Sequence, residues 1–533
     1  MRRIIAGALI GAALLAGQTQ TVLADTPKNA LVMAYSIDDM ITLDPGEMFE
    51  FTGMEYNANT YDRLVGFDLD DVSKIKGELA ESWSVSEDGK TLTFKIRDGV
   101  KFASGNPVTA DDAAFSFRRV IKMDKSPAFI LGQFGFRADN VDDRIRATDD
   151  HTLVMELDKP YAPTFVLYCL TAGVGAIVDK QVVMDHAENG DFGNKWLRTH
   201  YAGSGAFSLK SWKPNQSLSL VANEDYWQGA PEMKRVLIRH VKEAASQQLL
   251  LEKGDIDIAR NLEADQLAAV SKNPEIKLQR APKGAVWYLG LSQKNEYLSK
   301  PEVRQALKYL VDYKGIASTI LNGRGTVHQA FLPKGFMGAL EDNPFSLDVA
   351  KAKGLLAKAG LEDGFKVTMD TRNTTLTTQM AQSIQSTFAQ AGIDLEIIPG
   401  DGKQTLTKYR ARKHDIYIGR WGPDYQDPHT NADTFASNPD NSDDARAKPL
   451  AWRNSWDIPE MTKKTQANVL EKDAAKRAEV YREIQKEHQQ VSPFVIMFQD
   501  IEVASLRKDV NNFVLGPSFD TNFYRFVTKS DAN

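Results

Sequence analysis

The stretch from Leu79 to Arg119 constrains the fold of this chain most, because it holds signals for a hairpin, a strand and a capped helix in one run. The dipeptide Asp88-Gly89 is typical of a tight turn, since glycine adopts positive φ at no steric cost. The segment Thr91–Arg97 then alternates apolar and polar residues, which predicts a strand with one buried face. Further on, Thr109 precedes a helical pattern with Asp112 at its third position, a spacing that predicts a capped helix. Strand and helix signals this close together indicate a mixed α/β protein.

The first 24 residues have the three parts of a secretory signal peptide. Arg2 and Arg3 form a basic start, and Ile4–Ala16 is a short apolar run. Val22-Leu23-Ala24 then has the small-x-small pattern that signal peptidase cleaves, which makes Asp25 the expected first residue of the exported protein. The apolar run is too short and too rich in glycine and alanine to favour a membrane span.

Cysteine usage agrees with export. Cys169 is the only cysteine of the chain, so it has no internal disulfide partner. Because no cysteine lies near the cleavage site, we expect no lipid anchor, and we predict a freely diffusing protein of the Gram-negative periplasm. Cys169 lies in the apolar run Phe165–Leu170 and is expected to be a small buried side chain.

Length and charge narrow the class of function. Removing the predicted signal peptide leaves 509 residues and changes the formal net charge from −6 to −8, since two arginines and no acidic residue are lost. The charge is spread along the chain, which makes nucleic acid and anionic lipid poor partners. The length is several times the ~150 residues of a typical domain. With a hydrophobic content of 42%, at least two packed lobes are expected.

Strand and helix signals alternate in the C-terminal half. They predict strand, helix, strand, helix and strand over Phe365–Asp370, Leu376–Ala391, Leu395–Ile398, Lys403–Arg412 and Asp415–Trp421. This β-α-β-α-β order favours a parallel or mixed sheet. Ligands of open α/β sheets collect at the carboxyl ends of the strands, so the segments just after Asp370 and Gly419 are the candidate site.

Two segments at these strand ends carry groups that suit a zwitterion. Asp370–Asn373 contains Arg372, whose planar guanidinium can hold a carboxylate with two parallel bonds. Arg420–Pro428 contains Asp424, whose carboxylate suits an ammonium group. The other candidate ligand contacts are Arg420, Trp421, Tyr425 and Trp452. A tryptophan that ends an apolar strand is more often part of a core, and a charged residue in a turn often serves only as a cap or a surface partner.

Several segments resemble those of the family 5 extracellular solute-binding proteins, the peptide, nickel and opine receptors of bacterial ABC importers. The stretch Leu79–Arg119 resembles the family signature, and the other similar segments, in the family's order, are Thr42–Pro45, Gly203–Phe207, Asn223–Trp227 and Pro301–Leu307. The resemblance extends over nearly all of the mature chain. It implies a bilobed periplasmic binding protein fold of type II, which is an α/β fold with mixed sheets and an extra subdomain in the N-terminal lobe.

The resemblance also implies a division into domains. Residues 1–24 are the signal peptide, 25–67, 201–282 and 498–533 form the base lobe, 68–200 form an inserted subdomain of the N-terminal lobe, and 283–497 form the second lobe. The chain is then expected to cross between the lobes twice, near Ala281–Ala285 and near Ser492–Phe498.

At the matching positions, the resemblance assigns Asp424 to the α-ammonium of a peptide and Arg372 to its carboxylate. It implies a receptor that closes around its solute and delivers it to an inner-membrane permease, a role that a monomer suits. We expect no cofactor, no metal and no catalytic residue. Gly422-Pro423 before Asp424 departs from the best-known peptide receptors, so the ligand of this chain could differ from theirs.

Other functions compete for the same residues. The same fold serves opines and small oligosaccharides, and three tryptophans could stack on sugar rings, namely Trp421, Trp452 and Trp456. A receptor for a metal chelate would need few protein ligands, although the eight histidines show no short ligand spacing. A hydrolase would need Asp424 and Asp427 as an acid–base pair, but no nucleophile elbow, His-Glu-x-x-His helix or Cys–His signature accompanies them. We therefore predict a binding protein and not an enzyme.

Overall fold

The computed structural model describes residues 26–68, 74–445 and 447–530. The predicted signal peptide and its cleavage site lie outside these ranges. Within them, no helix combines the length and the apolarity that crossing a membrane requires.

Strands and helices alternate along most of the described chain. The strands, numbered β1 to β19 in chain order, are Ala30–Tyr35, Val65–Phe67, Ile75–Gly77, Ala80–Val85, Thr91–Ile96, Ile145–Asp149, Thr152–Glu156, Phe207–Lys213, Ser217–Ala222, Arg235–His240, Ile258–Ala259, Ile276–Leu291, Gly325–Val327, Phe365–Arg372, Ile393–Gly400, Ile416–Trp421, Phe494–Arg507, Val510–Asn511 and Thr528–Lys529. The helices, numbered α1 to α18, are Phe51–Thr60, Ala110–Met123, Phe129–Gly132, Val141–Arg144, Pro163–Leu170, Lys180–Asp185, Asn194–Leu197, Ala244–Glu252, Ala264–Val270, Pro301–Lys308, Tyr313–Gly315, Val349–Lys358, Thr375–Gln390, Gly402–Arg410, His429–Ala436, Leu450–Arg453, Pro459–Asn468 and Ala474–Val491.

The stretch Leu79–Arg119 forms the hairpin and the helix that its pattern predicts. Strands β4 and β5 pair antiparallel, and Gly89 in the turn between them has a φ of 73°. The apolar residues of β5 are buried, and they are Leu92, Phe94 and Ile96. At the start of α2, the Thr109 side chain accepts from the Asp112 N–H, and the Asp112 carboxylate accepts from the Thr109 N–H at 2.9 Å. The predicted strand and capping box are both confirmed.

These elements belong to a four-stranded sheet in the order β4-β5-β7-β6. Most of its hydrophobic core comes from residues between Leu64 and Ile177, including α2 and α5. Cys169 lies in α5 and is buried in this core, as expected for a small apolar side chain.

An eleven-stranded sheet runs through both lobes. Its order is β15-β14-β16-β12-β17-β11-β1-β10-β9-β8, with β13 pairing on β17. Strand β14 is parallel to both β15 and β16, and helices α13 and α14 connect these three strands along the chain. The predicted β-α-β-α-β unit is confirmed, and it brings the carboxyl ends of β14 and β16 to one edge.

Two long strands carry the chain between the lobes. Strands β12 and β17 pair antiparallel over most of their length, with a register shift between Pro282 and Val286 of β12. This shift coincides with Ala281–Ala285, where the first crossing is predicted. Phe494–Phe498, within the predicted second crossing, pack in the same cores as Val286 and Trp287, and Gln499–Ile501 lie opposite the shift.

The hydrophobic cores group the residues much as the implied domains do. One core combines residues between Leu31 and Tyr61, between Ala176 and Ile258, and between Ala504 and Val527. Two further cores contain residues between Val286 and Phe498. The domain boundaries themselves remain predictions.

Candidate ligand-binding site

Two adjoining cavities lie between the lobes, next to the carboxyl ends of β14 and β16. The larger is a cleft of about 580 Å³ with walls from both lobes. The smaller is a pocket of about 20 Å³, which is room for about one water molecule. Phe51 and Phe519 line both cavities and so form the partition between them.

Arg372 is the last residue of β14, and its side chain lines the cleft. The hydroxyl of Thr377 donates to the Arg372 carbonyl at 2.6 Å, which anchors the strand end to α13. No carboxylate of the described residues forms an ion pair with its guanidinium. Asp370 is instead buried and accepts a hydrogen bond from Lys408 Nζ at 2.7 Å. Of the predicted segment Asp370–Asn373, the arginine is thus the residue that lines the cleft.

Asp424 lines the small pocket, three residues beyond the end of β16. Its backbone N–H donates to Thr430 Oγ1 at 3.1 Å, which holds the turn. None of the donors in the described part of the chain reaches its carboxylate. Burial raises the pKa of Asp424 to about 7, Arg453 opposes this rise, and Asp433 adds to it. A desolvated carboxylate without a donor is a site for a cation that can also donate hydrogen bonds.

Arg420 lines the cleft but already has an acidic partner. Its guanidinium forms an ion pair with Asp500, which also accepts from the indole N–H of Trp287. The same guanidinium lies over the rings of Phe51 and Phe519, at 5.3 and 5.7 Å from their centroids. Arg420 thus links the second lobe to the aromatic partition.

The three predicted aromatic contacts lie mainly in packed regions. Trp421 packs edge-on against Phe435 at 6.4 Å and lines neither cavity. Trp452 is buried, and its indole N–H donates to the Ser442 carbonyl at 2.7 Å, so it too lies away from both cavities. Tyr425 lines the Asp424 pocket, although most of its surface is buried in the core of the four-stranded sheet.

Asp427 is unavailable for acid–base chemistry with Asp424. Its two oxygens accept hydrogen bonds from the Arg477 guanidinium, each at 2.6 Å, and both side chains are fully buried. Across the described ranges, no group of three or more histidine, cysteine, aspartate or glutamate residues could hold a metal ion. The acids of this loop therefore divide into one structural carboxylate and one unpaired carboxylate.

A buried charge network that the sequence analysis missed lies beside the crossing strands. Arg260 Nη1 contacts Glu55 at 2.6 Å and also pairs with Glu502, while Lys283 Nζ lies 2.9 Å from Glu502. Burial would raise the pKa of Glu502, but Arg260 and Lys283 hold it at about 2. Glu502 lies between Ile501 and Val503 of β17, and an acidic residue between apolar strand residues was a signal that could have found it.

Comparison with known proteins places this geometry in a family. The family model described as bacterial extracellular solute-binding proteins, family 5 Middle, matches residues 74–443. The probable D,D-dipeptide-binding periplasmic protein DdpA of Escherichia coli K12 is 30% identical over 507 residues, or 94% of each chain.

Solved structures share the architecture. The Helicobacter pylori periplasmic binding protein DppA in complex with the peptide STSA superposes with a TM-score of 0.79 at 24% identity, over 94% of this chain and 98% of that one. AgaA of A. tumefaciens R10 in complex with agropinic acid gives a TM-score of 0.76 at 25% identity, over 95% and 99% of the two chains. The predicted bilobed α/β fold of type II is confirmed.

Proposed function

The chain belongs to the family 5 bacterial extracellular solute-binding proteins, and on this basis we propose that it captures a peptide or peptide-like zwitterion between its lobes. It serves an ABC importer as a receptor and does not transform its ligand. The observation that carries the proposal is a pair of opposite charges that form no ion pair with any described residue, the Asp424 carboxylate in the pocket and the Arg372 guanidinium in the cleft.

The reasoning rests on the cost of burying charge. An unpaired ion that loses water on closure is strongly unfavourable unless the ligand supplies the counter-charge. A ligand with an ammonium at one end and a carboxylate at the other would satisfy Asp424 and Arg372 together. The cleft volume of about 580 Å³ is within the range of ordinary ligand sites, which is roughly 300–1,000 Å³.

The strand geometry supports a fixed separation between the two charges. Strands β14 and β16 are parallel neighbours, with Asp370 opposite Tyr417. Arg372 ends one strand, and Asp424 follows the end of the other by three residues. Both groups therefore stand on a rigid sheet edge, which favours ligands of a defined length between their charged ends.

Lobe closure is the proposed mechanism of capture. Asp38 and Asp39 line the cleft from the base lobe, and Arg372 lines it from the second lobe. A ligand can therefore gain all its contacts only when the lobes are together. Shifting an open–closed equilibrium from 1:99 to 99:1 needs about 5.5 kcal/mol of differential affinity. The permease can then distinguish a loaded receptor from an empty one.

Calorimetry on matched ligands tests the role of Asp424. Asp424→Ala should weaken binding of a free-amine dipeptide by at least about thirtyfold, because truncating one partner of a buried charge pair costs about 2 kcal/mol or more. Binding of the N-acetylated dipeptide, which lacks the ammonium, should change less than about threefold. Equal losses for both ligands would remove Asp424 from this role.

Arg372→Ala is the complementary variant. It should weaken binding of the dipeptide acid but scarcely affect the corresponding C-terminal amide, since only the acid offers a carboxylate to the guanidinium. If the acid and the amide respond alike, the zwitterion assignment is wrong.

An opine is the second candidate ligand, because AgaA, which is crystallised with agropinic acid, is 25% identical to this chain. Tight binding of agropinic acid together with no response to any dipeptide would favour it. A sugar has less support, since the tryptophans predicted to stack on it, Trp421, Trp452 and Trp456, pack within the second lobe.

We infer the cellular compartment of this protein from its relatives. DdpA of E. coli is named as a periplasmic protein, and we infer the same compartment here, with signal-peptide cleavage after Ala24, no lipid anchor and a monomeric receptor. Intact-mass measurement of the secreted protein tests the cleavage site and the absence of lipid. Light scattering tests the monomer.

A further inference from the structure

The Asp424 pocket is small and mostly apolar, although Gln426, Ser518 and Asp520 also line it. Asp520 already pairs with Arg63 and accepts from the Ser518 hydroxyl, which leaves Asp424 as the carboxylate of the pocket without a donor from the described residues. The pocket volume of about 20 Å³ admits about one water molecule, or one ammonium group in its place. The apolar walls come from Phe51, Met54, Pro423, Pro517 and Phe519. Such a pocket leaves no space for anything larger beside the ammonium.

Most of these walls are held in place by their neighbours. Phe51 stacks on Phe519 with centroids 4.1 Å apart, and the Arg420 guanidinium lies over both rings. A Cβ added at Gly422 would come within 3.2 Å of the Phe51 ring, which shows how closely the turn packs on this aromatic pair.

Pro423 is held on the opposite side of the pocket. A Cβ added at Gly284 would lie 3.0 Å from the Pro423 ring, so the proline sits directly against the crossing strand. The Gly422-Pro423 dipeptide, which departs from the best-known peptide receptors, thus builds one rigid wall. Met54 on α1 is half-buried and unbranched, and it is the wall residue best able to change conformation.

The bonds at an α-carbon mean that the shape of the pocket limits the size of the side chain next to the ammonium. The side chain and the carbonyl carbon are both bonded to the carbon that carries the ammonium, so both leave the pocket in the same general direction. They must then pass the Phe51–Phe519 partition together. A branched or aromatic side chain would therefore be placed against the Phe51–Phe519 pair and Met54, beside a pocket that has room for about one water molecule.

We propose that this pocket makes the receptor selective for ligands whose ammonium-bearing carbon has only hydrogen or a methyl group as its side chain. Such ligands are peptides whose first residue is glycine or alanine. The inference rests on the proposed function, since it assumes an ammonium at Asp424. It adds a size limit at the first residue, with Met54 as the specificity-determining side chain.

Calorimetry with the dipeptides Gly-Ala, Ala-Ala, Leu-Ala and Phe-Ala tests the size limit on the unmodified protein. Affinity for Leu-Ala and Phe-Ala should be at least about tenfold below that for Ala-Ala, since even one methylene in a tight pocket is worth about tenfold or more. Met54→Ala should recover most of this loss for Leu-Ala while leaving Gly-Ala within about threefold.

Leu376→Ala is the matched control, because Leu376 lines the cleft and not the pocket. It should change the affinities for Ala-Ala and Leu-Ala by the same factor. Equal affinity for all four dipeptides in the unmodified protein would overturn the size limit while leaving the proposed function intact. Binding of none of the four would refute the proposed function, and the inference with it. A Met54→Ala variant that folds, by circular dichroism, but discriminates as the unmodified protein does would remove Met54 from the role.

Discussion

Replacing Asp424 with asparagine is expected to stabilise the ligand-free protein at neutral pH, although the same change removes the proposed ammonium partner. Burial raises the pKa of this carboxyl from 3.8 to about 7 in the folded chain. Folding therefore favours the protonated form, and the wild type loses stability as the pH rises from about 4 to about 7. Asparagine has a similar shape and carries no charge, so the variant avoids this loss.

The magnitude follows from the two pKa values. Each pH unit between them corresponds to about 1.4 kcal/mol, which makes the wild-type penalty about 2 kcal/mol at pH 5 and about 4 kcal/mol at pH 8. The difference in free energy of unfolding between the variant and the wild type should therefore grow by about 2 to 3 kcal/mol from pH 5 to pH 8. The carboxylate keeps some access to water through the pocket, so these figures are upper bounds.

Urea unfolding at pH 5 and pH 8, followed by tryptophan fluorescence, measures the difference. Asp440→Asn is the control, because Asp440 is exposed and hydrogen bonds from Ser442 hold its pKa below 3.8. The control variant should be no more stable than the wild type at pH 8. Two results together would refute the assignment of an unpaired, desolvated carboxylate. They are an Asp424→Asn variant no more stable than the wild type at pH 8, and a stability difference between the two proteins that is the same at pH 5 and pH 8.

Three further predictions concern charges outside the pocket. Arg477→Met leaves Asp427 buried without its partner, so the free energy of unfolding should fall by about 3–5 kcal/mol in urea titrations, and a loss below about 1 kcal/mol would contradict this. Arg324→Gln breaks the ion pair with Glu263 that joins the two lobes at the cleft, and because Glu263 is half exposed the change should lower ligand affinity no more than about fivefold by calorimetry. Burial lowers the pKa of Lys308 from 10.5 to about 7, so Lys308→Met should be more stable than the wild type below pH 7. This difference in stability should shrink as the pH rises from 7 toward 10.5. A difference that does not depend on pH would contradict the burial of the Lys308 charge.

Local patterns along the chain were sufficient for much of the fold. The alternation in β5 and the Thr109–Asp112 capping box depend on residues within a few positions of one another, and both predictions are confirmed. The two crossings between the lobes stay predictions, because the pattern of β12 and β17 does not say which lobe buries each end of these strands. Periodicity reports that a strand is buried and is silent about which lobe buries it.

The candidate site was only partly predictable for a related reason. Arg372 and Asp424 could be proposed from strand ends and from the family resemblance, and the structure brings them to adjoining cavities. Trp421 and Trp452 stood equally close to the predicted site, but their rings pack into the second lobe. The direction of a side chain at a strand end depends on the packing of both faces, which nearby residues do not specify.

By itself, the sequence determined the fold class, the order of strands and helices and the family, because these depend on short-range periodicity, capping and recurrent segments. Only the tertiary structure decided which charges remain for a ligand. Asp427 is neutralised by Arg477, 50 residues away along the chain, and Arg420 is paired with Asp500, whereas Asp424 receives no partner from the described residues. Partners so distant in sequence meet only when the lobes fold, so the free charges of the cleft are a property of the packed molecule and not of any local pattern.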